Sequence, residues 1–70
     1  VEVETIKQLK EAIKSEADRV LLDNFNQEML QEACKINSLS KNPTKLEASG
    51  NITIKNIKDI AKTGVDFISI

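Results

Sequence analysis

Apolar residues along the chain alternate between the spacing of strands and that of helices. Short apolar or alternating runs predict four strands, around residues 1–4, 20–22, 44–47 and 65–70. The first run is Val-Glu-Val-Glu, so Glu2 and Glu4 should share one face of its strand. The second run, Val-Leu-Leu, is continuous, which is typical of a strand that is covered on both faces.

Between these runs, apolar residues recur at intervals of three and four, which predicts three helices with one buried face each. Thr5 and Gln8 are spaced as a capping box for the first helix, and Asn26 and Thr53 are suited to cap the second and third. Gly64 stands where a helix end favours a positive φ. The residues predicted to face inward are Ile6, Leu9 and Ile13, then Met29, Leu30, Ala33 and Ile36, then Ile54, Ile57 and Ala61.

The resulting fold class is α/β, with the order βαβαβαβ, and right-handed crossovers would make the four strands parallel. Such a unit is half of a (β/α) barrel or one wing of an open doubly wound sheet, and periodicity alone does not separate the two. The outer strands lie at the ends of the chain and would present unpaired edges. We therefore expect residues 1–70 to be a fragment of a larger domain.

Length and charge exclude several classes of function. A chain of 70 residues buries only a modest core, so its independent stability should be marginal. Ten basic and eleven acidic residues give a net charge of −1, which lacks the basic excess of proteins that bind nucleic acid or anionic membranes. No apolar run approaches the roughly 18 residues that cross a bilayer, and the first residues lack the pattern of a signal peptide. With the single Cys34, interpreted as a small helix residue, these features predict a cytoplasmic protein.

Carboxylates are candidates for chemistry, because functional groups of parallel α/β folds gather at the carboxyl ends of the strands. Four of them fall on or near the predicted ends: Glu2, Glu4, Asp23 and Glu47. A carboxylate that projects into a barrel mouth needs a cation, a metal or hydroxyl groups as partners, which indicates function. The alternatives are a solvated strand end for Glu2, and a turn or helix cap for Asp23.

The run Ser49-Gly50-Asn51 lies between the third predicted strand and the third helix. Backbone N–H groups and a helix dipole at such a turn can bind phosphate, although an ordinary loop is an equal alternative. The chain has no histidine, and its only arginine is Arg19. A cationic clamp or an acid–base centre of those residue types must therefore come from outside the chain.

Four motifs in order, covering essentially the whole chain, resemble the quinolinate phosphoribosyltransferase family. They are Val-Glu-Val-Glu at 1–4, Leu-Leu-Asp-Asn-Phe at 21–25, Leu-Glu-Ala-Ser-Gly-Asn-Ile at 46–52 and Thr-Gly-Val-Asp-Phe-Ile-Ser at 63–69. The resemblance implies that residues 1–70 are a partial α/β barrel catalytic domain, without the N-terminal sandwich domain and the first barrel strands. It also implies an enzyme, a homodimer or higher homo-oligomer, that condenses quinolinate with 5-phosphoribosyl 1-pyrophosphate. The products are nicotinate mononucleotide, pyrophosphate and CO2, in NAD biosynthesis.

The same resemblance assigns site residues. Glu2 and Asp23 match the family's two carboxylates beside the ribose and the magnesium-pyrophosphate group, so Mg²⁺ is expected near them together with the phosphoribosyl donor. Ser49, Gly50 and Asn51 match the loop that receives phosphate. The cations that bind quinolinate lie upstream in the family, so the isolated chain is expected to be inactive.

The chain departs from the family pattern at two positions. Asn51 stands where many members have a second glycine, which should be tolerated because Asn adopts positive φ more readily than most residues. Glu16 replaces a frequent glycine at a helix end. Two other functions stay open: a related type II phosphoribosyltransferase, acting on nicotinate or associated with molybdenum transport, and a non-enzymatic half-barrel that pairs with a copy of itself or a complementary half.

Overall fold

A single parallel sheet with helices between its strands forms the structure, a computed structural model that describes residues 1–69. The strands occur in the order β1-β2-β3-β4, and each neighbouring pair is parallel, which confirms the predicted α/β unit. Their bounds are β1 Glu2–Val3, β2 Arg19–Asp23, β3 Lys45–Ser49 and β4 Phe67–Ser69, and the helices are α1 Ile6–Lys14, α2 Gln27–Ser38 and α3 Ile57–Ala61. The last residue of the fourth predicted strand, Ile70, lies outside the described residues.

The first two helices begin where the capping residues predict. The Thr5 hydroxyl accepts a hydrogen bond from the Gln8 N–H at 3.1 Å, and the Gln8 side chain accepts one from the Glu4 N–H at 2.7 Å. Asn26 accepts from the Met29 N–H at 2.8 Å. These side chains satisfy N–H groups that the first turn of a helix leaves unpaired, so both helix starts are fixed by local sequence.

The third helix differs from the prediction. Thr53 caps a turn as predicted, since its hydroxyl accepts from the Asn56 N–H at 3.3 Å and its carbonyl from the Ile57 N–H at 2.9 Å, but α3 itself begins only at Ile57. The predicted inward residues Ile54 and Ala61 are exposed, Ile54 to 94%, and Ile60 is buried instead. The inward face is therefore rotated from the predicted one, because the segment before α3 is a turn rather than helix.

One face of the sheet is buried beneath the helices. Alternate strand residues supply it, together with helix residues that point back at the sheet. The buried residues are Val3, Val20, Leu22, Leu46 and Ala48 from the strands and Leu9, Ala12, Leu30, Ala33 and Ile60 from the helices. The other face carries no helix, so Leu21 is only half-buried, and the prediction that β2 is covered on both faces is wrong for the described residues.

Polar groups connect the layers away from the carboxyl edge of the sheet. The buried Asn37 side chain donates to the Thr44 carbonyl at 2.8 Å and accepts from its N–H at 2.9 Å, which ties the end of α2 to the start of β3. The Asp66 carboxylate accepts from the Leu46 N–H at 2.9 Å and holds β4 against β3. Each bond satisfies a backbone group that the ladder leaves unpaired.

Two residues that follow helices have positive φ. Gly64 has a φ of 100°, as predicted. Glu16, just after the α1 cap, has a φ of 60°, which costs a residue with a side chain about 1 kcal/mol or more.

Among residues 1–69, no helix has the length and apolar character to span a membrane.

Candidate functional site

The open face of the sheet brings most of the predicted site residues to one side of the molecule. In a parallel sheet, residues paired in register point to the same face. Glu2 pairs with Leu21, and Leu21 pairs with Glu47, which forms one row across three strands. The next row toward the carboxyl edge contains Asp23 and Ser49 as direct partners.

Asp23 and Ser49 end neighbouring strands, as predicted. Both are half-buried, and the N–H of Asn24 donates to the Ser49 carbonyl at 2.9 Å, which extends the ladder by one bond beyond the strands. The carboxylate and the hydroxyl therefore leave the same edge of the sheet side by side, where a ligand above the strands meets both groups.

Glu2 lies on the same face but one row lower. From the spacing of strands and residues, its Cα is roughly 8 Å from that of Asp23, a distance that one sugar or diphosphate group spans. Glu2 also lines an open cavity of about 420 Å³ together with Arg19, Leu21 and Glu47. The two predicted carboxylates thus flank the sheet surface rather than touch each other.

Residues 49–51 form a tight loop. Gly50 and Asn51 have φ values of 82° and 55°, and Asn24 across from them has 58°. The Asn51 side chain donates to Asn24 Oδ1 at 3.1 Å. Asn24, Asn51 and Asn56 line a second cavity of about 240 Å³ at this edge. The predicted contribution of a helix dipole to anion binding is wrong here, because α3 begins six positions after Asn51 and not at the loop. An anion at this edge would be bound by backbone N–H groups of the loop instead.

A cluster of three residues on the open face was not anticipated as a unit. The Arg19 guanidinium lies 2.5 Å from a Glu47 carboxylate oxygen and 4.0 Å from the centroid of the Phe67 ring. This is the only ion pair among residues 1–69, and it neutralises Glu47, whose side chain is 18% exposed. The three residues lie on β2, β3 and β4, and the strand register places them on the same face of the sheet. The sequence could have indicated the cluster only if that register had been known.

Glu2 and Asp23 consequently differ from Glu47 in their electrostatics. Neither has an ion-pair partner within residues 1–69. Both carboxylates are therefore available to an external cation or to hydroxyl groups. Among the same residues, no group of three or more acidic, cysteine or histidine side chains could hold a metal ion by itself.

Cys34 has no place in this site. It lies on α2, half-buried and near Gly64. Burial raises the pKa of the Cys34 thiol, and the nearby Asp66 acts in the same direction, against a hydrogen bond with Thr63 that lowers it. A thiol with a raised pKa is a poor nucleophile at neutral pH, in agreement with its interpretation as a packing residue.

Comparison with known proteins decides the family. The family model described as "Quinolinate phosphoribosyl transferase, C-terminal domain" matches residues 1–70. The chain belongs to this family. The resemblance found in the sequence motifs is thereby confirmed, and the parallel strand order agrees with it.

Relatives of this quinolinate phosphoribosyltransferase domain are similar over its whole length. A protein of Methanocaldococcus jannaschii, named "Probable nicotinate-nucleotide pyrophosphorylase [carboxylating]", is 42% identical over 74 residues, which cover 100% of this chain and 26% of the relative. The structure of the nicotinate-nucleotide pyrophosphorylase from Francisella tularensis matches 100% of this chain and 24% of its own, with a TM-score of 0.88 and 47% identity. The structure of the nicotinate-nucleotide pyrophosphorylase from Ehrlichia chaffeensis matches 99% of this chain and 24% of its own, with a TM-score of 0.90 and 38% sequence identity.

The chain therefore spans about a quarter of the length of the curated relatives that it matches. The two solved structures match essentially the whole chain, so the chain shares the fold of the matching quarter of each. Whatever the remaining three quarters of such a protein contribute lies outside these residues. The relatives are enzymes named for a reaction of small molecules.

Proposed function

We propose that this chain supplies the ribose- and phosphate-binding part of the active site of a quinolinate phosphoribosyltransferase. The whole enzyme would condense quinolinate with 5-phosphoribosyl 1-pyrophosphate, giving nicotinate mononucleotide, pyrophosphate and CO2 for NAD biosynthesis. The observation that carries the proposal is the direct pairing of Asp23 with Ser49 at the carboxyl edge, with Glu2 on the same face one row away.

The carboxylates suit the charge that develops in this reaction. When pyrophosphate leaves the anomeric carbon, positive charge grows on the ribose, and fixed negative groups nearby stabilise it, as they do in glycoside chemistry. Glu2 and Asp23 can supply that field because no ion pair within residues 1–69 neutralises them. They can also accept hydrogen bonds from the ribose hydroxyl groups.

The loop 49–51 suits the phosphate of the sugar. Gly50 and Asn51 follow one another with positive φ at the carboxyl edge of the sheet, where Gly50 is half-buried and Asn51 is exposed. Backbone N–H groups in such turns bind anions without a cationic side chain. The Ser49 hydroxyl, half-buried at the base of the loop, adds a further donor.

Magnesium fits this site as a partner of the substrate rather than as a resident ion. Glu2 and Asp23 offer hard oxygen ligands, and Mg²⁺ commonly uses one or two carboxylates together with substrate phosphates and water. When bound, the ion would neutralise the leaving pyrophosphate.

Recognition of quinolinate requires groups beyond this chain. The dicarboxylate needs cations, and Arg19 is already paired with Glu47. We therefore propose that the isolated chain is inactive and that the active enzyme is a homodimer or higher homo-oligomer that supplies the missing residues. The single free cysteine fits a cytoplasmic location for that enzyme.

The test transplants this chain into a full-length relative. The matching quarter of the Methanocaldococcus jannaschii protein would be replaced by residues 1–70, and formation of nicotinate mononucleotide measured. We expect activity in the chimera and a fall in kcat of about 100-fold or more for Glu2→Gln or Asp23→Asn, because each removes a charge beside the developing cation. Lys10→Gln, on the exposed side of α1, is the control. Full activity of both carboxylate variants would refute the proposal.

A further inference from the structure

Asn24 connects the two loops of the proposed site. It follows Asp23 directly, its N–H donates to the Ser49 carbonyl at 2.9 Å, and its side-chain oxygen accepts from the Asn51 amide at 3.1 Å. One residue thus holds both the first and the last residue of the loop 49–51. Asp23 directly precedes Asn24 in the chain, so its position is linked to the same residue.

The middle residue of the loop is also set by Asn24. A Cβ placed on Gly50 would lie 2.2 Å from Asn24 Oδ1 and 3.0 Å from its Cγ. The Asn24 side chain therefore occupies the volume in which a side chain at position 50 would lie. Glycine at position 50 therefore lets the loop backbone approach the Asn24 amide closely.

The opposite side of the loop is held by Asn56. Its side-chain N–H donates to the Asn51 carbonyl at 2.8 Å, and its side-chain oxygen accepts from the Thr53 N–H at 2.8 Å. The Asn51 carbonyl is thereby turned toward Asn56 and occupied. A carbonyl engaged in this way does not face an anion, whereas a free one would repel it.

We propose that Asn24 is a positioning residue, which acts through Gly50 and Asn51 to hold the loop 49–51 in the conformation that binds the phosphate of the sugar substrate. The inference rests on the proposed function of this loop. An ordinary turn role would need only a residue that tolerates the φ of 58° at Asn24, and glycine meets that need. Asn24→Gly therefore separates the two roles, because it keeps the backbone conformation and removes the side chain.

The experiment measures binding of ribose 5-phosphate to the 70-residue chain by the amide chemical shifts of residues 49–53. We expect Asn24→Gly to weaken binding about three- to tenfold, the range for loss of one positioning hydrogen bond. Asn51→Gly should weaken it by less, and the double variant should be no weaker than Asn24→Gly alone. Asn42→Ala, which removes only a 3.3 Å surface bond to Glu16, is the matched control and should bind as the unaltered chain does.

The chimera gives a second measurement that does not depend on the short chain being folded. There, Asn24→Gly should raise the KM for 5-phosphoribosyl 1-pyrophosphate by a similar factor and leave the KM for quinolinate unchanged. A general loss of structure would change both constants.

Equal affinity and equal KM in the Asn24→Gly variant would overturn the inference and leave the proposed function intact. Independent, additive effects of Asn24→Gly and Asn51→Gly would overturn it as well, since the loop would not act through their contact. Absence of ribose 5-phosphate binding by the unaltered chain, with an inactive chimera, would instead refute the phosphate-loop function on which the inference rests.

Discussion

Substitution of Gly50 by alanine tests the contact between the two loops most directly. An L residue in the left-handed region costs about 1–2 kcal/mol, and Gly50 has a φ of 82°. The new Cβ would lie 2.2 Å from Asn24 Oδ1, so the Asn24 side chain must move and lose its bond to Asn51, at a further cost of about 0.5–1.5 kcal/mol. We expect Gly50→Ala to lower the free energy of unfolding by about 1.5–3.5 kcal/mol, the sum of the two contributions.

Two further variants divide this cost into its parts. In an Asn24→Gly background the two side-chain atoms at 2.2 and 3.0 Å are absent and only the backbone N of residue 24, at 3.2 Å, remains close, so Gly50→Ala should cost mainly the conformational part, about 1–2 kcal/mol. Gly64→Ala is the matched control, because Gly64 also has positive φ but its Cβ would meet Cys34 at an ordinary 3.6 Å. It should likewise cost about 1–2 kcal/mol.

Urea unfolding followed by circular dichroism measures each difference, with a stabilising osmolyte present to raise the folded fraction of this small domain. The reasoning would be refuted if Gly50→Ala cost the same with Asn24 as with glycine at that position. A cost for Gly64→Ala equal to that of Gly50→Ala would refute it too, since the steric part would then be absent.

Three other predictions follow from single features. Asn37→Ala should lower the free energy of unfolding by about 2–4 kcal/mol, because the buried Thr44 N–H and carbonyl both lose their partner. Ser38→Ala is the control. A loss below about 1 kcal/mol for Asn37→Ala would contradict the prediction. Glu16→Gly should raise the same quantity by about 1 kcal/mol through relief of its positive φ, and lower stability in urea would show the idea to be wrong. Burial raises the pKa of the Cys34 thiol above the ordinary 9.0, so the folded state holds that proton more tightly than the unfolded chain. Stability should therefore fall as pH rises above about 9, more steeply than in Cys34→Ala, and equal slopes would contradict this.

Helix starts that depend on residues within one helical turn could be predicted from the sequence. Thr5 and Asn26 cap their helices as predicted, because each bonds an N–H only three residues away and needs no tertiary partner. The parallel direction of the strands also followed from the alternation of elements and the handedness of their connections, and their sequential order agrees with the barrel that the family resemblance implies. Given that order, Asp23 and Ser49 had to meet, since both end adjacent strands.

Features that depend on competing local hydrogen bonds or on the register between strands could not be predicted from the sequence. The start of α3 is delayed because Asn56 bonds back to Thr53 and Asn51, and this turn replaces the helix that the apolar spacing predicts. The offset of Glu2 by one row depends on the register between β1 and β2, which motif spacing does not contain. The Arg19–Glu47 pair likewise required the register of β2 and β3.

The contact between Asn24 and Gly50 makes the order of evolutionary change matter. Because a side chain at position 50 and that of Asn24 would occupy the same small volume, a lineage can enlarge residue 50 without a steric clash only after residue 24 has become smaller. The reverse path passes through a destabilised intermediate that selection would remove. Members of the family that carry a side chain at position 50 should therefore have a smaller residue than asparagine at position 24, although the two residues lie in separate loops.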